Sequence, residues 1–201
     1  MLSVIDLACS RGDRTLFRHL SFSMAAGQWL HVKGDNGAGK TTLLRTVVGL
    51  AAPDQGSVRW HGQPVRGQRQ DFHRAVCFLG HHAAVKEELT PVENLLTSAA
   101  LDGHAVGEAQ ARAALKSLGL AGSGRLPTRF LSAGQKRRVL LSRLLLRPAT
   151  LWVLDEPFAA LDSAASEWLG QLLSRHLAGG GMALLSSHQP VPLPPGGVLS
   201  L

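Results

Sequence analysis

The run Gly34-Asp35-Asn36-Gly37-Ala38-Gly39-Lys40-Thr41 fits the pattern G-x-x-x-x-G-K-[ST], and its residue types say what such a run can hold. Glycines let the backbone curl until successive N–H groups converge on one point. Lys40 would neutralise the outer oxygens of a triphosphate, and the Thr41 hydroxyl suits a hard cation such as Mg²⁺. The loop, continuing into Thr42, is therefore a candidate phosphate cradle. A second group of candidates lies far along the chain, at Asp155-Glu156. In a phosphate-loop enzyme the Asp in such a place holds Mg²⁺, leaving the next acid to polarise the water that attacks the γ-phosphorus. Adjacent residues on a strand point to opposite faces, so the pair is expected to divide these tasks, Asp155 toward metal and Glu156 toward water.

Such groups must be carried by elements that hold them still. Residues 28–33 alternate polar and apolar like a strand, and the glycine-rich turn then opens onto 40–49, where Leu43, Leu44, Val47 and Val48 recur at helical spacing. Strand, loop and helix are the context that the loop motif requires. Short strands are expected at 4–7, 20–24 and 57–60, which suggest a small antiparallel sheet beside the core. After a strand at 76–79 the character changes, and 91–101, 107–118 and 132–146 read as three successive helices. The apolar run 151–154 reads as a strand buried on both faces of a parallel sheet, ending at the two acids. A helix over 163–177 and a last core strand over 182–186 follow, while 190–197, with its prolines and glycines, reads as a frayed tail. The order implies an α/β protein with an inserted helical subdomain, the core being 1–84 and 148–201 and the insertion roughly 85–147.

Composition bounds the rest. A chain of 201 residues with 45% hydrophobic and 17% charged residues holds one well-buried domain and excludes disorder. The net charge of +7 suits polyanions or an acidic membrane face without choosing between them. Cys9 and Cys77 are distant and form no C-x-x-C, so no disulfide, zinc or haem-attachment site is expected. The first residues lack a basic segment followed by an apolar one, which argues against secretion. The greasiest stretch, 139–154, is broken by Arg143, Arg147 and Pro148, well short of the ~18 apolar residues of a spanning helix.

Leu131-Ser132-Ala133-Gly134-Gln135, just before a basic helix, resembles the signature pentapeptide of ABC-type ATPases. Ser132 and Gln135 also make a good capping box, which would begin that helix in any protein. Further elements follow in family order: Asp162 resembles the D-loop aspartate, and His188 resembles the switch histidine that contacts the γ-phosphate. The resemblance covers nearly the whole chain. It implies a P-loop NTPase of the ABC type, with a RecA-like parallel core sheet, an N-terminal antiparallel β subdomain and an inserted α-helical subdomain. It implies ATP and Mg²⁺ as cofactors, with ATP held by Gly34 to Thr42, and Glu156, His188 and Lys40 as catalytic residues. It also implies a second copy of the chain as partner, because in this family the signature of one copy, Leu131 to Gln135, closes on the γ-phosphate held by the other.

Two positions depart from the family pattern. Where its glutamine after the third core strand holds Mg²⁺ beside Thr41 and Asp155, the match here is His82, whose pKa near neutrality would make that role sensitive to pH; an exposed loop histidine is the alternative. Where the family stacks adenine on an aromatic ring, Ser10-Arg11-Gly12 offers Arg11, whose guanidinium plane can stack on a base or lie solvated on the surface. The wording of residues 80–95, the Ala133 of the pentapeptide and Leu151 to Phe158 resemble the ATP-binding subunits of haem-handling exporters in bacterial cytochrome c maturation. That implies attachment to integral membrane subunits at the cytoplasmic face of the inner membrane, with hydrolysis driving haem export or release of a haem-loaded chaperone. Another small-substrate ABC transporter, or a soluble ATPase of the iron–sulfur scaffold type, is the alternative. The nine histidines form no haem-ligating spacing, so no direct haem binding is expected. Lys136, Arg137, Arg138 and Arg143 lie without interleaved aromatics, so no nucleic-acid partner is expected.

Overall fold

The computed structural model describes residues 1–81, 84–123 and 125–201. His82 lies outside them. The chain forms two compact units, one of Met1–His81, Ala149–Pro157 and Leu172–Leu201, the other of His82–Pro148 and Phe158–Gln171.

The first unit carries two sheets. Strands β1 (Leu2–Arg11), β2 (Arg14–Met24), β4 (Gln55–Trp60) and β5 (Gln63–Pro64) form an antiparallel sheet in the order β2-β1-β4-β5. The hairpin β1–β2 runs much longer than the two apolar runs predict, pairing from Leu2 opposite Met24 to Arg11 opposite Arg14, with three register shifts on the way. Those bulges interrupt the strict alternation from which strands are read, so the polar middle stretches look like loop in the sequence. Gly12, at φ 59°, turns the hairpin over two residues.

The second sheet is parallel, in the order β6 (Val76–Leu79), β7 (Leu151–Asp155), β8 (Met182–Ser186), β3 (Trp29–Lys33), β9 (Gly197–Ser200). Every residue of β7 and β8 is buried, as their uninterrupted apolar runs require. The supposed tail ends in β9, which pairs beside β3 from Leu30–Gly197 to Lys33–Ser200. Its glycines hid it: a Cβ at Gly196 would enter the Trp29 ring and one at Gly197 the Leu30 side chain, so the close approach demands residues that disfavour strand in isolation. Helix α1 (Lys40–Val47) follows β3 across the glycine turn, and α2 (Arg69–Ala75), unread in the sequence, buries only Phe72. One core, including Leu7, Met24, Val32, Leu43, Leu44, Phe72, Val153 and Leu184, joins the sheets and helices of this unit. Both cysteines are free and buried.

The second unit is helical: α3 (Pro91–Leu101), α4 (Glu108–Ser117) and α5 (Ala133–Leu146) close around Val92, Leu95, Ala111, Leu115, Leu120 and Val139. Helix α3 starts as Thr90-Pro91-x-Glu93 should. Thr90 caps the Glu93 amide, Glu93 returns to the Thr90 amide, and proline occupies the first turn. That returned hydrogen bond holds the Glu93 carboxyl below the usual range. The last helix, α6 (Ser163–Ala178), has its first residues in this unit and its remainder in the first. Among the described residues no helix is long and apolar enough to cross a membrane.

Candidate functional site

The site is assembled at the carboxyl ends of the parallel strands, where an open α/β sheet offers its crevice. β3 delivers the phosphate loop, and Gly39 ends it at φ 108°. A Cβ there would stand 3.0 Å from Leu16 Cβ and 3.2 Å from the Phe17 ring, so glycine is needed both for the backbone angle and for β2 to lie against the loop. No side chain caps the start of α1, which leaves its first N–H groups available to an anion. Lys40 curls back over the loop, its Nζ donating to the carbonyl of Gly34 at 2.7 Å and of Asp35 at 3.1 Å. The ammonium is thus fixed at the centre of the curl.

β7 and β8 supply the acids and their support. Asp155, 1% exposed, receives the Thr41 hydroxyl on Oδ2 at 2.7 Å and the Ser186 hydroxyl on Oδ1 at 2.7 Å. The same Ser186 oxygen accepts the Glu156 amide at 3.0 Å. Glu156, 9% exposed, accepts the backbone N–H of His188 on Oε2 at 3.1 Å, and the His188 ring nitrogen lies 3.5 Å from its Oε1.

Strand alternation would send Asp155 and Glu156 to opposite faces, yet both line the same cleft. The expectation fails because β7 ends at Asp155 and Glu156 adopts φ 50°, a left-handed conformation that costs roughly 1–2 kcal/mol for a non-glycine residue. The turn swings the second carboxylate back beside the first.

The cleft, of about 580 Å³, gathers Arg11, Asn36, Gly37, Gly39, Lys40, Thr41, Thr42, Asp155, Glu156 and His188 from the sequence-derived candidates. It adds His81, Leu16 and Arg14, of which Arg14 has the more telling place at the hairpin tip. Gly34, Asp35 and Ala38 complete the loop behind it, with the Ala38 amide donating to the Asp35 carbonyl at 3.2 Å. Ser186, which ties the two acids together, is a candidate-site residue that the sequence reading missed. A hydroxyl at the end of an otherwise apolar strand, beside a strand ending in acids, is the signal that could have found it. A hydroxyl and a carboxylate hydrogen-bonded together are hard oxygen donors, the type that Mg²⁺ takes. Among the described residues no cluster of three or more His, Cys, Asp or Glu forms an all-protein metal cage.

The signature residues belong to the second unit. Ser132 Oγ accepts the Gln135 amide at 3.2 Å and Gln135 Oε1 accepts the Ser132 amide at 2.9 Å, the reciprocal cap that begins α5. A Cβ at Gly134 would meet the Ala160 carbonyl at 2.8 Å, so the pentapeptide lies tight against the turn that leads to Asp162. Asp162 caps α6 by accepting the Ala165 amide at 2.9 Å and pairs with Arg138 of α5. The cap first, with Arg138 assisting, holds its carboxyl below the usual range.

Behind the signature, residues 85–90 are stitched in place by two buried polar side chains that sequence reading also missed. Asn94 accepts the Lys86 amide at 2.7 Å and donates to the carbonyls of Lys86 and Thr90. The Thr128 hydroxyl donates to the Lys86 carbonyl at 2.7 Å, and the Arg129 amide to that of Glu87 at 3.0 Å. Lys136 of α5 pairs with Glu87 at 2.5 Å and draws its carboxyl below the usual range.

Comparison with known proteins bears on this arrangement at two levels. The family model described as "ABC transporter" matches residues 17–159. The cytochrome c biogenesis ATP-binding export protein CcmA of Dechloromonas aromatica is 49% identical over 201 residues, covering 100% of this chain and 98% of that protein. Its namesake from Pseudomonas aeruginosa is 48% identical over 193 residues, covering 96% and 95%. Among solved structures, the ATP-binding subunit of an ABC transporter superposes with TM-score 0.82 at 27% identity, covering 94% of this chain and 79% of that one. An ATP-binding cassette solved as a post-hydrolysis dimer with ADP and phosphate shares the fold, with TM-score 0.83 at 21% identity, covering 94% and 88%.

Proposed function

The chain belongs to the ABC transporter family, among the CcmA-type ATP-binding export proteins, and on that premise we propose that it is the ATP-hydrolysing subunit of an exporter serving haem delivery in c-type cytochrome biogenesis. It is an ABC-type ATPase that binds ATP. The observation that carries the reading is the convergence in one cleft of Lys40, Thr41, Asp155, Glu156 and His188, on a chain matched end to end by the cytochrome c biogenesis relatives.

The residues supply a hydrolytic site in which position and charge do most of the work. The curled loop amides and Lys40 take the phosphates, Lys40 being held where negative charge develops on the γ-phosphoryl oxygens. Glu156 accepts a proton from the attacking water while the new P–O bond forms and the bond to the β-phosphate oxygen breaks. Its orientation is fixed by the His188 amide and by Ser186 beneath its own amide. His188 then contacts the γ-phosphate. Thr41 and Asp155 would hold Mg²⁺, which when bound supplies charge to the phosphate oxygens; His82 is a further candidate there.

Each copy carries one phosphate loop and one signature, and the proposed working unit is a pair of copies on integral membrane subunits at the inner face of the bacterial inner membrane. Ser132 and Gly134 of one copy then close on the γ-phosphate held by the other. Glu156→Gln is expected to retain ATP binding and to lose turnover by at least about a hundredfold, the scale of a lost general base. Near-normal hydrolysis by that variant would refute the assignment. The export role is checked by purification in mild detergent from cells making c-type cytochromes: recovery of integral membrane subunits is expected, and a chain that purifies free of membrane protein would refute it.

A further inference from the structure

We infer that His31 is a positioning residue for hydrolysis: from the strand that leads into the phosphate loop, it fixes the one peptide group through which the segment after β8 holds Glu156. The inference rests on the roles proposed for Glu156 and His188. β3 lies between β8 and β9, and His31 sits in it 8% exposed, where an imidazole without a hydrogen-bond partner would be costly. Its Nε2 lies 2.9 Å from the Ser187 carbonyl oxygen. A carbonyl only accepts, so the ring nitrogen is the donor. Trp29, two residues earlier and so on the same face of the strand, lies alongside His31 with ring centroids 6.2 Å apart and planes 28° from parallel. Its indole N–H donates to the Pro194 carbonyl at 3.2 Å. The two side chains thus fasten the connection from β8 to β9 near both of its ends.

The carbonyl that His31 holds and the amide of His188 belong to the same peptide group. That group is trans, so its C=O and N–H point opposite ways. The C=O meets His31, and the N–H meets Glu156 Oε2 at 3.1 Å. A flat unit held at both edges has little freedom to rotate, and a donor on its carbonyl polarises it so that its N–H binds the carboxylate more firmly. Ser187 closes a small turn beside it, its hydroxyl donating to the Gln189 carbonyl at 2.9 Å and accepting the Gln189 amide at 3.0 Å. The direction in which His188 leaves the backbone is thereby set. His31 is not among the described residues that line the cleft. It acts there only through the 187–188 peptide: without its donor, the amide that guides Glu156 is free to turn, and the His188 ring, 3.5 Å from Glu156 Oε1, shifts with it.

The test is hydrolysis of Mg·ATP by the full chain, in the complex in which it purifies, set beside equilibrium binding of ATP. His31→Leu keeps an apolar side chain of similar bulk and removes the donor. It should lower kcat by about fivefold to a hundredfold, the range of a lost buried hydrogen bond. ATP affinity should stay within about twofold, as for a group that acts on the reaction and not on binding. His31→Gln, whose amide can still donate, should recover most of the rate. In a Glu156→Gln background, His31→Leu should cause no further loss in single turnovers, because the group it acts upon is no longer a base. A histidine that merely holds the fold would lower the urea midpoint with kcat unchanged, or would cost the same factor in the Glu156→Gln background. Either result would overturn the inference and leave the ATPase reading intact. Should His31→Leu fail to fold, His31→Asn, whose shorter amide falls short of the carbonyl, is compared with His31→Gln, and equal rates in those two would overturn it as well. Absence of hydrolysis by the parent chain would refute the ATPase reading instead.

Discussion

Ser186 shows how much of the candidate site's geometry hangs on a single hydroxyl. It donates to Asp155 Oδ1 and accepts the Glu156 amide, and so ties the two acids to the neighbouring strand at the point where the backbone takes its left-handed turn. The acids themselves were legible because their types and their place after an apolar strand are chemical signals. Their shared orientation was not, since it depends on one backbone angle and on a serine brought alongside by the parallel pairing of β7 with β8. A second residue-scale effect concerns stability. His176 stacks on the buried Trp152, ring centroids 3.8 Å apart and planes 5° from parallel, with its Nε2 near the Met182 carbonyl. Burial pushes its pKa below the usual 6.5. A group with a depressed pKa in the folded state contributes stability that is complete above the unfolded value and is lost as pH falls through the folded one. Urea denaturation at a series of pH values should therefore show stability declining below pH 6.5, with His176→Phe flattening that decline; an unchanged slope would contradict the assignment.

At the level of elements, the helices that begin with capping chemistry were readable to within a residue. Thr90 to Glu93 and Ser132 to Gln135 carry their start signals in side chains that bond within one turn. β9 and α2 were not readable, because β9 is made possible by glycines that fit beneath β3 and α2 is too short and charged for a periodic pattern. The stitching of 85–90 by Asn94 and Thr128 was equally hidden, for it joins residues distant in sequence through backbone carbonyls. These bonds connect the segment after His82 to the turn that precedes the signature. Thr128→Val keeps the shape and removes the hydroxyl, so it should cost about 1–3 kcal/mol of stability, the range for a buried group deprived of its partner. The same variant should lower membrane-stimulated ATPase activity more than nucleotide affinity. A urea midpoint checks the first, and ATPase assays with and without the membrane subunits, set beside a nucleotide titration, check the second.

For the whole molecule, the decisive property is that one chain carries the candidate nucleotide cleft in its first unit and the signature-like pentapeptide in its second, each on its own compact scaffold. The proposed pairing of copies predicts that ATPase activity per chain rises with protein concentration and levels off once dimers predominate. Activity strictly proportional to concentration down to a form shown to be monomeric by light scattering would refute it. The net charge of +7 should favour anionic over neutral vesicles in sedimentation, with the difference shrinking as salt is raised.

The reciprocal cap at the start of α5 has one more implication. A serine hydroxyl carries a proton as well as lone pairs, and the Gln135 amide engages only a lone pair. The proton stays at liberty to reach outward, so grasping an incoming oxyanion would not require the helix to let go of its own first turn. Threonine could stand in at that position, whereas alanine would forfeit anchor and grip in one stroke.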